Sequence, residues 1–293
     1  MARPRVAPPG AEPVPHVKKA EIQDLTPMAI ARVNGTSLYY ELLGPESAPV
    51  LVLCNGILMN AATSWALQVP ALSRQHRLLL HDCRGQGQSA HPDEPYSMAG
   101  HAADLVALLD ALGIERAHIG GISYGGEVAQ AFGIAYRDRT RSLILADTVS
   151  EVGAELRRVI DDWIAAARTS DADTLFETTV GWNFSPAFIA AHGALMADAR
   201  RRYRDLDFPA VIRLCESFLG VNFTARLAGV KVPTCLIYGE ADRLKGLRYA
   251  EIIRRAMPHA ELHVLPGAGH ASCWELPGDF NRIVLDFLAR QPD

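Results

Sequence analysis

The segment Gly121-Ile122-Ser123-Tyr124-Gly125-Gly126 sets one hydroxyl among glycines, directly after the apolar run His118-Ile119-Gly120 and directly before a helical pattern. A serine in such a strand–turn–helix junction is pushed out at a helix N-terminus, the setting of a nucleophile elbow. A hydroxyl is a poor nucleophile until a base takes its proton, and that base is most often a histidine steered by a carboxylate. Of the ten histidines, His270 stands in Pro266-Gly267-Ala268-Gly269-His270, just after the last strand-like run. Glycine-rich loops at the C-terminal ends of strands are where α/β sheets place ligands and reactive groups. His16, His76, His91, His192, His259 and His263 fall in the N-terminal leader, surface loops or a helical insertion and read as solvated. His101 and His118 fall inside a helix and a strand and read as structural.

The carboxylate should also follow a strand. Asp242 does so in Gly239-Glu240-Ala241-Asp242, after Leu236-Ile237-Tyr238, and is the first choice. Glu240 competes from the same loop. Asp147, after Leu143-Ile144-Leu145-Ala146, competes from an earlier strand and reads equally as the N-cap of the next helix. Attack on a carbonyl also needs preorganised N–H donors, each typically worth about 10²–10³ in rate. The N–H of Tyr124 is one candidate. The other is the N–H of Ile57, in Cys54-Asn55-Gly56-Ile57, where Gly56 allows close backbone approach.

These residues need a scaffold of buried strands. Eight strands are predicted: Ala29–Val33, Ser37–Leu43, Val50–Cys54, Arg77–Asp82, Ala117–Ile122, Ser142–Ala146, Thr234–Tyr238 and Glu261–Leu265. Continuous apolar runs such as Val50-Leu51-Val52-Leu53 suit strands of a mostly parallel sheet covered on both faces. The first two strands are more amphipathic and flank Asn34-Gly35, a hairpin signal, so they predict an antiparallel start. Helices are predicted over Met98–Leu112, Ser123–Ala135, Leu247–Met257 and Phe280–Ala289, which together give an α/β, doubly wound sheet. Residues 149–231 carry helical patterns and no convincing strand, at Glu155–Arg168, Asp171–Thr179, Pro186–Tyr203 and Ala210–Phe218. They predict a helical cap inserted after the sixth strand, with residues 28–148 and 232–293 as core and 1–27 as a Pro-rich leader. In the cap, Trp182-Asn183-Phe184-Ser185-Pro186 interrupts the helices and is predicted to line an apolar pocket, with Trp274 beside His270.

Composition excludes several alternatives. The 293 residues are 49% hydrophobic with a net charge of -4, which gives no electrostatic footprint for a nucleic acid. The basic run Arg200–Arg204 is interleaved with Asp198, Asp205 and Asp207 and reads as a solvated helix face. Five cysteines without a CxxC pair argue against a disulfide framework or a structural zinc site, and no metal or cofactor is expected. No apolar stretch is long enough to span a membrane and the leader lacks a signal-peptide core, so a cytoplasmic protein is expected. Oligomeric state is open, a homo-oligomer included.

Together the chemistry-bearing segments resemble the α/β-hydrolase superfamily, and within it the capped, cofactor-free esterase, lactonase and haloperoxidase-like members. The resemblance runs from about Ala29 to Leu288. It rests on Asn55-Gly56, on Asp82-Cys83-Arg84-Gly85-Gln86-Gly87-Gln88-Ser89, on the Ser123 elbow, on Gly239–Asp242, and on Gly267–His270 with Glu275-Leu276-Pro277. The order Ser123, Asp242, His270 is the order of that fold. Two departures stand out. The family usually has His-Gly where Asn55-Gly56 stands, and it often has a proline soon after the acid, where Arg243-Leu244-Lys245-Gly246 follows. The resemblance implies a hydrolase of carboxylic esters or lactones; the aromatic residues of the cap predict that the substrate is small and largely apolar, with Asn55, Gly56, Trp182, Phe184 and Trp274 near it. Acyl transfer, or C–C or perhydrolytic chemistry on the same residues, is the enzymatic alternative. A non-catalytic ligand-binding protein is the alternative from another class.

Overall fold

The computed structural model describes residues 29–291; the predicted leader lies outside them. Eight strands form one sheet in the order β1-β2-β4-β3-β5-β6-β7-β8. They are β1 Ala29–Val33, β2 Thr36–Leu43, β3 Val50–Cys54, β4 Arg77–His81, β5 Ala117–Ile122, β6 Thr140–Ala146, β7 Thr234–Gly239 and β8 Glu261–Leu265. The predicted strands agree with these to within two residues at each end. β1 pairs antiparallel with β2, and β2 pairs antiparallel with β4. Every other pairing is parallel. Asn34 and Gly35 both take positive φ, 47° and 72°, as a two-residue hairpin of primed type requires.

Helices α1 (Ala61–Ser64), α2 (Val69–Leu72), α3 (Met98–Ala111) and α4 (Tyr124–Ala135) connect the first six strands. Between β6 and β7 lie α5 (Ala154–Arg168), α6 (Ala172–Asn183), α7 (Pro186–Ala191), α8 (Gly193–Arg202), α9 (Phe208–Leu219) and α10 (Thr224–Leu227). Then come α11 (Leu247–Ala256), α12 (Ser272–Glu275) and α13 (Pro277–Leu288). The strand alternation explains the layering. Val52, Leu79 and Ile119 face one core with Leu105 of α3 and Phe132 of α4. Their neighbours Leu51, Leu53, Leu78 and Leu80 face the other with Trp65 and with Phe280 and Phe287 of α13. Each such buried side chain contributes on the order of 1.5–3 kcal/mol.

The insertion has its own apolar seam. Leu156, Ile160 and Trp163 of α5 pack with Val211, Leu214 and Phe218 of α9, all buried. The helix predicted over Pro186–Tyr203 is in fact two: the chain leaves helical geometry at His192, between α7 and α8. The helix predicted over Asp171–Thr179 runs on to Asn183, with Asp171 as its N-cap. An isolated antiparallel bridge between Glu151 and Asn222 ties the two ends of the insertion together.

Candidate active site

Ser123 sits between the end of β5 and the start of α4 at φ 55°, ψ -119°, a conformation that a non-glycine residue rarely adopts. Its N–H donates to the Ala146 carbonyl at 2.9 Å, and its own carbonyl accepts the Gly126 N–H at 2.8 Å. Gly125 is needed by space, since a Cβ there would lie 2.0 Å from the Cys54 carbonyl oxygen. The turn thus presses the elbow against the end of β3.

Parallel neighbours in the sheet bring the other candidates to the same edge. Ser123 Oγ lies 2.8 Å from His270 Nε2, and His270 Nδ1 lies 2.9 Å from Asp242 Oδ2. Asp242, as a carboxylate, accepts at Nδ1–H, which leaves Nε2 as the acceptor for the serine hydroxyl. All three residues are at most 8% exposed. The second Asp242 oxygen accepts the backbone N–H groups of Leu244 and Lys245 at 2.8 and 2.9 Å, so the carboxylate is held from both sides.

The two competing acids do other things. Glu240 accepts the Gly267 N–H at 2.9 Å, bracing the loop before His270 from outside. Asp147 is not a helix N-cap; Gly153 holds that position for α5. Asp147 is buried at φ 45° and accepts the Gly239 N–H at 2.9 Å, along with the N–H and hydroxyl of Ser272. Burial, and after it the negative charge of Asp242, pushes its carboxyl well above the ordinary range. Asp147 therefore stitches the acid loop to the His270 loop.

Among the described residues, neither the Ile57 N–H nor the Tyr124 N–H finds an acceptor. The Gly56 and Ile57 carbonyls accept from Gln86 Nε2 at 2.9 and 3.3 Å, which fixes that loop. The Tyr124 side chain points away, its hydroxyl 2.7 Å from His101 Nε2 and 2.5 Å from Ser217 Oγ of α9. Burial drives His101 down to about 4, so its ring is neutral. His101 and His118 are structural as expected, but His76, expected at the surface, is buried.

A cavity of about 90 Å³ opens over Ser123 and His270. Gly56, Ile57 and Trp274 line it from the sheet side, and Phe176, Val180 and Phe184 from the insertion. Two expected pocket residues lie elsewhere. Asn55 is fully buried and turns its amide to the His81 carbonyl at 2.9 Å and the Asp82 carboxylate at 3.3 Å, so it braces loops. Trp182 lies under the Arg243 guanidinium, 5.2 Å from the ring centroid, outside the cavity lining. Phe184 stands just past the end of α6 in extended geometry, φ -127°, ψ 150°, so its side chain leaves the chain in a different direction from that of the helical Trp182.

Several contributors escaped the sequence reading. Arg202, assigned to a solvated face, lines the cavity. Glu275 accepts the Ser185 N–H and hydroxyl at 2.7 and 2.6 Å. Lys245 forms a buried ion pair with Glu127, four residues beyond the serine. A lone charge in an apolar run was the available signal for Glu127, whereas Lys245, between Arg243 and Arg248, offered none.

The chain matches the α/β-hydrolase fold family over residues 49–277. It is 31% identical to a putative carbamate hydrolase RutD from Pseudomonas savastanoi pv. phaseolicola, over 83% of this chain and 95% of that protein. It is 28% identical to 3-oxoadipate enol-lactonase 1 of Acinetobacter baylyi, over 91% of this chain and 98% of the relative. The crystal structure of the enol-lactonase from Burkholderia xenovorans LB400 superimposes with a TM-score of 0.85 at 29% identity, covering 89% of this chain and all of that one. Among the described residues no helix is long and apolar enough to cross a membrane.

Proposed function

The chain belongs to the α/β-hydrolase fold family, and from that premise we propose that it is a serine hydrolase of small, largely apolar carboxylic esters or lactones. The observation that carries this reading is the unbroken relay from Ser123 Oγ through His270 to Asp242, opening on an apolar cavity. Ser123 attacks the carbonyl as His270 Nε2 takes its proton. The N–H groups of Ile57 and Tyr124 receive the developing oxyanion. His270 returns the proton to the departing alkoxide, and Asp242 stabilises the transient imidazolium. Water, activated by the same histidine, then releases the acid. In a lactone the departing alkoxide stays tethered to the acyl group, so a single acid product leaves. The names of two relatives, an enol-lactonase and a putative carbamate hydrolase, support a hydrolytic reading.

The test is turnover of a panel of p-nitrophenyl esters, lactones and acyl thioesters by wild type and Ser123→Ala. Loss of about 10³-fold or more in kcat in the variant is expected. Equal turnover by both proteins, or no turnover of any member by wild type, would overturn the proposal. Added alcohols that divert product to a new ester would move the assignment from hydrolysis to acyl transfer.

A further inference from the structure

Glu127 and Lys245 form an ion pair that the relay does not use and that is sealed from water. The Glu127 side chain is 0% exposed and that of Lys245 is 3% exposed. Lys245 Nζ lies 3.0 and 2.9 Å from the two Glu127 oxygens and 4.2 Å from the centroid of the Phe218 ring. Glu127 also accepts from the Thr148 hydroxyl and, at 2.8 Å, from the Val149 N–H. A buried pair is costly to desolvate and contributes little net stability, so its retention here calls for another reason. Its placement supplies one. Glu127 is in the first turn of α4, the helix that Ser123 opens, and the Lys245 backbone N–H is one of the two that hold Asp242 Oδ1.

We propose that Glu127 and Lys245 are a positioning pair that tethers the Asp242 loop to the Ser123 helix and balances the charge around the acid. The inference rests on the serine-hydrolase reading. Other titratable groups facing the pair are Asp147 after β6, Tyr238 of β7, Tyr124 of α4, Cys215 of α9 and Asp242, which in turn bonds His270.

The test compares the pH profiles of kcat/KM, with kcat and KM measured separately, for Lys245→Met, Glu127→Gln and the double variant. Removing the cation leaves the site more negative, which holds the proton on the base and moves the acid limb to higher pH. Glu127→Gln leaves it more positive and moves the limb to lower pH. Each shift is expected to be about 0.5 pH unit or more. The double variant has the wild-type net charge and should return the limb, while kcat falls about 10- to 100-fold at nearly constant KM, because the tether is gone. Either single variant can fail to fold with an orphaned buried charge; the double variant then decides by its kcat alone. A double variant with wild-type kcat, or folded single variants with unmoved limbs, overturns the proposal. Ser123→Ala is the control: if it turns over like wild type, the serine-hydrolase reading has failed and not merely the pair.

Discussion

The Glu275 carboxylate grips both the backbone N–H and the hydroxyl of Ser185, at 2.7 and 2.6 Å, across 90 residues of sequence. Ser185 also caps α7, and the neighbouring Ala271 N–H donates to the Asn183 carbonyl at 2.8 Å. The segment that carries His270 and the segment that carries Phe184 are therefore sewn together. A shift in one displaces the other, which couples the cavity wall to His270.

Glu275→Ala should loosen that seam. Charge-assisted hydrogen bonds of this kind contribute about 1.5–3 kcal/mol each, so a measurable loss of stability is expected in urea unfolding. KM should rise more than kcat falls. A variant with unchanged KM and unchanged unfolding midpoint would show that the seam holds nothing.

Phe184 and Trp182 make a contrasting pair. Phe184 lines the cavity and stacks on Phe188 with centroids 5.3 Å apart, whereas Trp182 lies under Arg243. Phe184→Ala should lower kcat/KM for longer acyl chains by roughly tenfold, equivalent to about 1.4 kcal/mol of lost apolar contact. Trp182→Ala should leave the chain-length profile of kcat/KM unaltered. The reverse pattern across an acyl series would relocate the cavity wall.

Gly125→Ala tests the elbow by space alone. The added methyl would sit 2.0 Å from the Cys54 carbonyl oxygen, a contact that only backbone movement can relieve. A cost of about 3 kcal/mol or more is expected. Wild-type thermal stability in this variant would mean that the β5–α4 turn and β3 are further apart than described.

Acid sensitivity should trace to buried histidines. Burial first of all drives His81, His101 and His118 down to about 4 each. In the unfolded chain histidine titrates near 6.5. The folded state therefore binds fewer protons in this window, so the stability from these rings is present above about 6.5 and is lost as pH falls toward 4. Asp82 works in the opposite sense, because burial raises it to about 6 and its contribution is lost as pH rises through that value. His118 lies away from the relay, bonded to Ser142 at 2.8 Å. His118→Asn should flatten the pH dependence of the urea midpoint between pH 4 and 6.5, by up to about 1.4 kcal/mol per pH unit. A curve parallel to wild type would refute the assignment.

Much of this molecule is legible before folding, because some signals are local. A continuous apolar run marks Leu51, Val52 and Leu53 as strand, Asn34-Gly35 marks a hairpin, and the glycines around Ser123 mark a turn with no room for side chains. The order of Ser123, Asp242 and His270 along the chain, each after a strand, is local information as well. What joins distant segments is not local. Asp147 reads as a helix cap until β7 and Ser272 arrive to claim its oxygens. Trp182 reads as a pocket residue until the turn of α6 aims it at Arg243. Glu127 and Lys245 are two ordinary charges 118 residues apart until packing excludes water from both. The sequence by itself determined the sheet, the elbow and the order of the relay, since backbone sterics and hydrophobic periodicity act over a few residues. Only the tertiary structure decided which polar side chains meet, since burial strips their water and leaves each to be satisfied by partners that the chain brings from elsewhere.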